Sequence, residues 1–438
     1  MSGTDPEAID EFFSTARTKG RDEAVVLGDE GFRDFLYDLD DPAVAPWRGM
    51  GYEEFTAARQ GNEFLQQLLD SWNALYDEPF VGLTSDGVVR EGLYRLPTNG
   101  STDAALIAAA DELLGLLTGD EAERFRYPID APQWRGWSNP EFVFHRVGLR
   151  LEDLAEEKTQ AVFALMRASL SPEGYDRVIE AMQLNGFLGE LVGLPTVMND
   201  RSYWVSLYGT PSPDEPWGWQ IFGHHVALNF VTLGGRDVIA PVFLGAEPAL
   251  SDGAQPPIFD HRERVAIELA SSLTPEQRAR AVVFESVLDP AMPDDRLHPA
   301  DERHVAGAFR DNRVVPYEGI PASELDDLQR ALLRSVVEDF LLLLRAPQRA
   351  LTLADYDAHL DETWFSWYGA TDGSQPVYFR IQSPVIIAEL DNHAGVWLTN
   401  RLPARFHVHS TLRLPNGNDY GRAYIAQWRA SAHDPKDH

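Results

Sequence analysis

The stretch RFHVHSTLRLPNGNDYG, Arg405 to Gly421, begins with a run, Arg405 to Arg413, that alternates between polar and apolar side chains as a β-strand does. Side chains two residues apart on a strand point to the same face, so His407 and His409 face the same way. The rest of that face is Arg405, Thr411 and Arg413, and the other face carries Phe406, Val408 and Leu412. Two imidazoles in a polar row predict either a mononuclear metal site or the lining of a polar cleft.

A second histidine pair lies in WGWQIFGHHVALNF, Trp217 to Phe230. If this stretch is a continuous strand, His224 falls on an apolar face, whereas His225 shares a face with small and polar residues such as Asn229. We therefore predict His225 as the better metal ligand, and His224 as either a further ligand or a core histidine. Asn229 and Trp219 are predicted to line the substrate pocket, because such pockets are walled by aromatic side chains and a few polar groups.

The stretch PVYFRIQSPVIIAELDNH, Pro376 to His393, places Glu389 among apolar strand residues. A buried carboxylate needs a partner, since burying an unpaired charge is costly. Arg380 on the adjoining strand is one choice. A protonated histidine is another. A metal ion is the third, and it would make Glu389 the third ligand beside His407 and His409, or a catalytic base.

The turn PNGNDYG follows the HxH strand directly and is rich in turn-forming residues. Turn chemistry alone accounts for it, but Asp419 is also placed to orient a ligand imidazole or to act as a base. Asn418 is predicted to contact the substrate. Arg380, Arg405 and Arg413 are predicted either to bind an anionic substrate or to balance the protein's own carboxylates.

Strand signals cluster in two blocks, about 202–243 and 363–413, with helical patterns in separate runs around them. The helical runs are 103–118, 151–170, 172–191, 262–289 and 323–345, with Ser171 as the cap of the third. This order predicts an α+β fold, with a mostly antiparallel sheet and helices packed against one side. We expect a helical N-terminal segment, 1–79, as a lid or appended face, a core domain, 80–430, and a tail, 431–438. The sequence shows no internal repeat.

The composition excludes several classes of function. With 69 acidic against 37 basic residues, the net charge of −32 disfavours nucleic acid and anionic membrane surfaces as partners. The absence of cysteine means that any metal must be held by histidine, carboxylate or water. The phosphate loop and the GxGxxG motif are missing, so no nucleotide cofactor is expected, and neither GxSxG nor HExxH occurs. An acidic N-terminus without a long apolar run predicts a cytoplasmic protein.

Several long motifs in the same order resemble domain-of-unknown-function family 3500. They run from about Phe80 to Trp428 and include GLTSDGVVREGLYRL, YGTPSPDEPWGWQIFGHHVALNF, YFRIQSPVIIAEL and HVHSTLRLPNGNDYG. The resemblance implies that the family's recurring polar positions fall on His224, His225, Glu389, His407, His409, Asn418 and Asp419. The chain departs from the family at Leu390-Asp391-Asn392-His393, where relatives read Phe-Asp-His, and at Gln427-Trp428, where they read Gln-His.

The leading functional hypothesis is an enzyme with one divalent transition metal, iron or copper, held by His407, His409 and either Glu389 or His225. It would act as an oxidase or oxygenase on a small anionic metabolite, amino-acid-like or peptide-like. Two alternatives stay open: a zinc-dependent hydrolase with Glu389 or Asp419 as base, and a non-catalytic protein that binds a small ligand. A homo-oligomer is compatible with the sequence.

Overall fold

The computed structural model describes residues 31–432, apart from 39, 62, 98–99, 254, 294–295 and 299. The expectations for residues 1–30 and for the tail from 433 lie outside the described residues. The helices are α1 (Tyr52–Gln60), α2 (Glu63–Asp77), α3 (Ala104–Leu116), α4 (Gly119–Phe125), α5 (Glu156–Ser169), α6 (Pro172–Val192), α7 (Asp260–Ser272), α8 (Pro275–Ala281), α9 (Asp327–Phe340), α10 (Ala346–Ala358) and α11 (Arg422–Ala432).

Twelve strands form one mixed, mostly antiparallel sheet, so the predicted α+β fold is confirmed. They are β1 (Arg126–Tyr127), β2 (Leu149–Arg150), β3 (Tyr203–Gly209), β4 (Trp217–Gly223), β5 (Val226–Leu233), β6 (Arg236–Ala246), β7 (Val282–Phe284), β8 (Ile320–Pro321), β9 (Trp364–Tyr368), β10 (Tyr378–Gln382), β11 (Ile387–Asn392) and β12 (Val408–Arg413). The order across the sheet is β1-β3-β4-β5-β6-β12-β11-β10-β9-β7, with β2 beside β3 and β8 beside β9.

The two blocks of predicted strands are the two antiparallel meanders of this sheet, β3 to β6 and β9 to β12, joined where β6 pairs with β12. Ser171 caps α6 as predicted, by accepting a hydrogen bond from the backbone N–H of Gly174. The single helix predicted at 262–289 is wrong. Thr274 forms a capping box there and starts a new helix, α8, which leads into β7.

The two faces of β12 meet different layers of the protein. The alternate residues Ser410 and Leu412 face α6, α7 and α9, with Ser410 accepting a hydrogen bond from Arg262 of α7. The opposite face carries His409, Thr411 and Arg413, and it meets irregular segments, including the stretch between β7 and β8. His407 lies one residue before the strand, with its Nε2 beside that of His409. The strand's period of two thus assigns the apolar face to the helices and the polar face to the loops.

The described part of the N-terminal segment, including α1 and α2, packs on the loop layer. The Trp72 ring stacks on Phe309 and Phe144, and the Phe55 ring lies 6.1 Å from that of Trp397. This segment therefore contributes to the cover over the polar face of the sheet.

The two halves of the core repeat one order of elements. Residues 104–246 form two helices, two short strands, two longer helices and a four-stranded meander, and residues 260–413 form the same series. The pairing repeats too, because β1 and β7 run parallel to β3 and β9, while β2 and β8 run antiparallel to them. The expectation of no internal repeat is therefore wrong.

Candidate metal centre

Three imidazole nitrogens converge on one point at the polar face of the sheet. The Nε2 atom of His409 lies 3.2 Å from Nε2 of His225 and 3.1 Å from Nε2 of His407. Nitrogens that bind a tetrahedral metal at about 2.0–2.1 Å stand roughly 3.3 Å apart. The spacing of these donors therefore fits one small transition-metal ion at their centre.

His407 is fixed in the tautomer that a metal ligand needs. Its Nδ1–H donates to the carbonyl oxygen of Ala394 at 2.7 Å, which leaves Nε2 with a free lone pair. A single proton on Nε2 of His409 can serve only one of its two nitrogen neighbours. The cluster therefore lacks enough protons to pair its own nitrogens, and a cation at the centre would satisfy all three.

His224 and His225 occupy the two-residue turn between β4 and β5, not a continuous strand. Gly223 pairs with Val226 across the turn, and His225 adopts a positive φ of 63°. Such a φ is uncommon for a residue with a side chain and is found where surrounding contacts hold it. Here the N–H of His225 donates to Oδ1 of Asn139 and its carbonyl accepts from Gly245.

His224 points away from the three convergent nitrogens. Its Nδ1 lies 2.8 Å from Oδ1 of Asn185 on α6, and its ring stacks on that of His225 at 3.8 Å. Burial lowers its pKa to about 4, so it is a neutral histidine packed behind the centre.

The three convergent imidazoles are buried, with exposures of 1–3%. Burial, and then the neighbouring histidines, hold the pKa values of His225, His407 and His409 well below the ordinary range. Neutral imidazole is the form that binds metal, so the environment keeps these side chains ready for an ion near neutral pH.

A second set of donors lies beside the first, and the sequence analysis predicted none of its three members as ligands. His304, Asp391 and His393 offer ligand atoms within 4.8 Å of one another. His304 comes from the irregular segment between β7 and β8, and no local pattern marks it. His393 and Asp391 were visible only as a departure from the family. Six of the ten histidines that the structure describes lie in or against this region.

The environments of Asp391 and His393 shift their pKa values in opposite directions. Although burial opposes ionisation, Arg303 and His393 hold the pKa of Asp391 below its ordinary value. Burial also lowers the pKa of His393, but Glu302 and Asp391 outweigh it and raise that pKa. This edge of the cluster therefore attracts positive charge.

Glu389 does not lie among the convergent nitrogens. Its Oε1 accepts from the N–H of Val305 and the hydroxyl of Tyr378, and its Oε2 accepts from the N–H of Ala306. It is fully buried and holds the loop that carries His304 against β11. Arg380, the alternative partner, pairs with Glu318 at 3.1 Å instead.

Asp419 and Arg413 belong to a buried ion network away from the three histidines. Asp419 accepts from Nε of Arg413 and from the N–H of Leu414, both at 2.8 Å. Burial raises the pKa of Asp419 to about 6, and Arg413 partly offsets this. Arg413 also bonds Asp311 and the carbonyl oxygens of Ala306 and Gly307, so its donors are committed within the protein.

The other predicted substrate residues are dispersed. Arg405 pairs with Glu263, and Trp219 donates to Ser169 within the core. Asn229 is bound by Gln220 and by the carbonyl oxygen of Pro241. Asn418 is fully buried, and neither polar atom of its side chain has a hydrogen-bond partner. The structure therefore does not gather these side chains around the histidines.

Glu247 holds the loop over the centre and was not foreseen from the sequence. Its Oε1 accepts from three successive backbone N–H groups, those of Val396, Trp397 and Leu398. The same atom is 3.8 Å from Nδ1 of His407. Burial raises the pKa of Glu247 to about 7 against the opposing effect of these N–H donors.

A family model described as "Protein of unknown function (DUF3500)" matches residues 99–422. The chain belongs to the DUF3500 family. The match confirms the resemblance found in the sequence, and it spans the residues that form both donor sets in this DUF3500 protein. No curated protein and no solved structure matches the chain.

None of the helices that the structure describes combines the length and the apolar character needed to cross a bilayer.

Proposed function

We propose that this protein is a metal-dependent enzyme whose ion is held by His225, His407 and His409. The observation that carries the proposal is the convergence of three buried, neutral imidazole nitrogens, with Nε2 separations of 3.1 and 3.2 Å for two of the pairs. Of the two third ligands expected from the sequence, we favour His225 over Glu389. The oxygens of Glu389 are already bound by Val305, Ala306 and Tyr378.

We propose iron or copper as the ion and an oxidase or oxygenase as the reaction class. An all-imidazole donor set suits copper, iron and zinc, and it disfavours magnesium and calcium, which prefer oxygen. Iron or copper would supply redox chemistry with dioxygen. The protein's own part would be to exclude water: the Phe243 ring packs against His409 at 5.0 Å, and the backbone N–H of Trp397 binds Glu247, whose Oε1 is 3.8 Å from Nδ1 of His407.

Zinc-dependent hydrolysis is the second candidate, and one observation favours it. A buried carboxylate and imidazole, Asp391 and His393, stand 3.2 Å apart beside the three ligands. Such a pair could take a proton from a zinc-bound water. This role replaces the one expected for Glu389 or Asp419.

The substrate and partner expectations remain proposals. We propose a small metabolite as the substrate. An anionic group on it would need a partner other than Arg380, Arg405 and Arg413, because each of these pairs with a carboxylate of the protein. We also propose that the protein acts in the cytoplasm. Its net charge of −32 supports the further proposal that neither nucleic acid nor an anionic membrane surface is a partner.

Elemental analysis of the purified, untagged protein tests the proposal. The wild-type chain should carry iron or copper, and the His407→Ala, His409→Ala double variant should lose it while keeping its fold by circular dichroism. His359, a histidine outside the cluster that pairs with Glu362, provides the matched control. The His359→Ala variant should keep its metal.

The outcomes separate the candidates. Iron or copper, together with oxygen uptake in the presence of small metabolites, supports the oxidative reaction. Bound zinc without oxygen dependence supports hydrolysis. A wild-type protein that binds none of these ions even after reconstitution would overturn the proposal and favour a metal-free ligand-binding protein.

A further inference from the structure

We propose that His304, Asp391 and His393 bind a second metal ion beside the one at His225, His407 and His409. The protein would then hold a two-ion centre. This inference rests on the proposed function, and it adds a site and a substrate class that the single-ion hypothesis does not contain.

The three side chains present unused donor atoms to one another. His304 has its Nδ1 2.8 Å from the hydroxyl of Thr411, so Nε2 is the atom left to bind an ion. Nε2 of His304 is buried without a hydrogen-bond partner. Nε2 of His393 is also buried and makes no well-aligned hydrogen bond, although it lies 3.2 Å from Oδ2 of Asp391. Buried polar atoms are rarely left unpaired, because their desolvation then costs about 1–3 kcal/mol. An ion bound by both nitrogens and by Asp391 would remove that cost.

The second set lies directly against the first. Asp391 of β11 pairs in register with His409 of β12, so the two side chains leave the sheet on the same face. The His393 and His409 rings lie 3.8 Å apart between centroids, and the His304 and His409 rings 6.4 Å apart. The two ions of a two-metal centre lie about 3.5–4 Å apart. At that spacing the ligands of one ion contact the ligands of the other, as the His393 and His409 rings do.

The charges around the second set also fit a cation. Asp391 is kept in place by Arg303, which bonds Oδ1 through its Nε at 2.6 Å and Oδ2 through its backbone N–H at 3.2 Å. Each carboxylate oxygen retains a lone pair for an ion. Glu389 lies 3.8 Å from Nδ1 of His304, and among the described residues no other basic side chain comes within 4.0 Å of its oxygens. Glu302 adds a further carboxylate 3.6 Å from His393.

A two-ion centre narrows the class of substrate. Two adjacent ions bind a ligand that offers two oxygen atoms, such as dioxygen or a small oxyanion, with one oxygen on each ion. The two ions would themselves supply the positive charge that binds an anionic substrate. Arg380, Arg405 and Arg413 cannot supply it, because each already pairs with a carboxylate of the protein.

Metal stoichiometry tests the inference. The full-length protein is stripped of metal, loaded separately with manganese, iron, copper and zinc, dialysed, and measured by elemental analysis. Wild type should retain two equivalents of at least one metal. The His304→Gln, His393→Gln double variant should retain one. The His298→Gln variant, in the same segment of the chain but outside the cluster, should retain two.

Copper-loaded protein gives a second readout. Two neighbouring Cu²⁺ ions interact magnetically, so wild type should show less paramagnetic resonance signal than its copper content requires, and the double variant should show the full signal of one ion. Melting of the metal-free variants checks that they fold.

The inference is overturned if wild type saturates at one equivalent with every metal, or if the His304→Gln, His393→Gln variant keeps two. The proposed function is judged separately, by the His407→Ala, His409→Ala variant. One equivalent that depends on His407 and His409 alone would leave the proposed function standing and remove only the second ion.

Discussion

The backbone N–H of Gly245 donates to the carbonyl oxygen of His225 at 2.8 Å. Gly245 also pairs in register with His409 across β6 and β12, so it lies between two of the three convergent imidazoles. Any side chain at this position would enter the space that the rings fill. A Cβ atom there would stand 2.7 Å from Cδ2 of His409 and 2.9 Å from Cδ2 of His225.

We expect Gly245→Ala to weaken metal binding by about 10–100-fold, since mutations of the residues that position metal ligands typically cost that much affinity. The added methyl group should also lower the free energy of unfolding by about 1–3 kcal/mol through overpacking. Competition with a chelator measures the first effect and chemical denaturation the second. Gly253→Ala, where the nearest atoms are 3.8 and 3.9 Å away, should change neither. Unchanged affinity in Gly245→Ala would mean that the two rings do not share an ion.

We expect Glu247 to anchor the loop that contains Ala394, whose carbonyl oxygen accepts a hydrogen bond from Nδ1–H of His407. In Glu247→Ala, the N–H groups of Val396, Trp397 and Leu398 lose their acceptor, and leaving buried donors unpaired costs about 1–3 kcal/mol each. We expect a loss of several kcal/mol in stability and weaker metal binding. Glu247→Gln keeps a carbonyl oxygen for these donors and should lose clearly less of both. Equal losses in the two variants would show that the negative charge, rather than the anchoring, is what matters.

The fold was largely predictable because its strands and helices have clear periodicities. The polar and apolar alternation of Arg405 to Arg413 predicts that His407 and His409 lie together, and their Nε2 atoms are 3.1 Å apart, although β12 begins at Val408 and His407 precedes it. The same reasoning does not hold for His224 and His225, because side chains alternate between the two faces only within a strand and these residues form a turn. Tight two-residue turns are usually signalled by glycine or asparagine, and His224-His225 carries neither.

The internal repeat is visible in one pair of short sequence motifs, although the overall order of strand and helix signals does not reveal it. Trp204–Gly209 reads WVSLYG and Trp364–Gly369 reads WFSWYG, at equivalent positions of β3 and β9. The two halves of the core differ in sequence at the residues that form the candidate metal centre. The turn between β10 and β11 carries Pro384 and Val385 where the first half has His224 and His225. The repeated fold therefore provides two equivalent turns, and in the described chain only one of them bears the histidines.

His304 could not have been found from local pattern. It lies in an irregular segment, and it reaches the cluster because Glu389 binds the N–H groups of the two residues that follow it. The predicted site roles of Arg413 and Asp419 fail for a related reason. Arg413 forms buried ion pairs with Asp419 and with Asp311, and the sequence cannot show which buried charges are already paired.

Asp339 should stabilise the helical layer in a pH-dependent way. It accepts from Nε of Arg262 at 2.8 Å and lies 3.5 Å from Arg177. Burial works against its ionisation, but the two arginines lower its pKa below the ordinary 3.8. A group with a lowered folded pKa contributes stability that is present above the unfolded pKa and is lost as the pH falls through the folded value.

We therefore expect Asp339→Asn to lower the free energy of unfolding by about 3 kcal/mol near neutral pH, because it leaves Arg262 buried without its anion. Below about pH 4 the difference from wild type should shrink. Denaturant unfolding at a series of pH values measures both. Asp357→Asn removes a carboxylate that pairs with Arg334 at the surface and should cost less than about 1 kcal/mol. A constant difference at all pH values would exclude ionised Asp339 as the source.

The repeat makes a prediction about two glycines at equivalent corners, Gly209 after β3 and Gly369 after β9. Their φ angles are 77° and 108°, and a Cβ atom would meet the carbonyl oxygen of Pro216 at 2.7 Å or of Pro376 at 2.8 Å. A left-handed conformation alone costs an alanine about 1–2 kcal/mol, and the contact with backbone adds to it. We expect Gly209→Ala and Gly369→Ala each to lower the free energy of unfolding by about 2 kcal/mol or more.

Gly115, on the exposed side of α3, provides the control. It has nothing within 4 Å, so Gly115→Ala should raise the free energy of unfolding by about 0.5–1 kcal/mol. A large loss at one corner and none at the other would show that the two corners do not carry the same structural constraint.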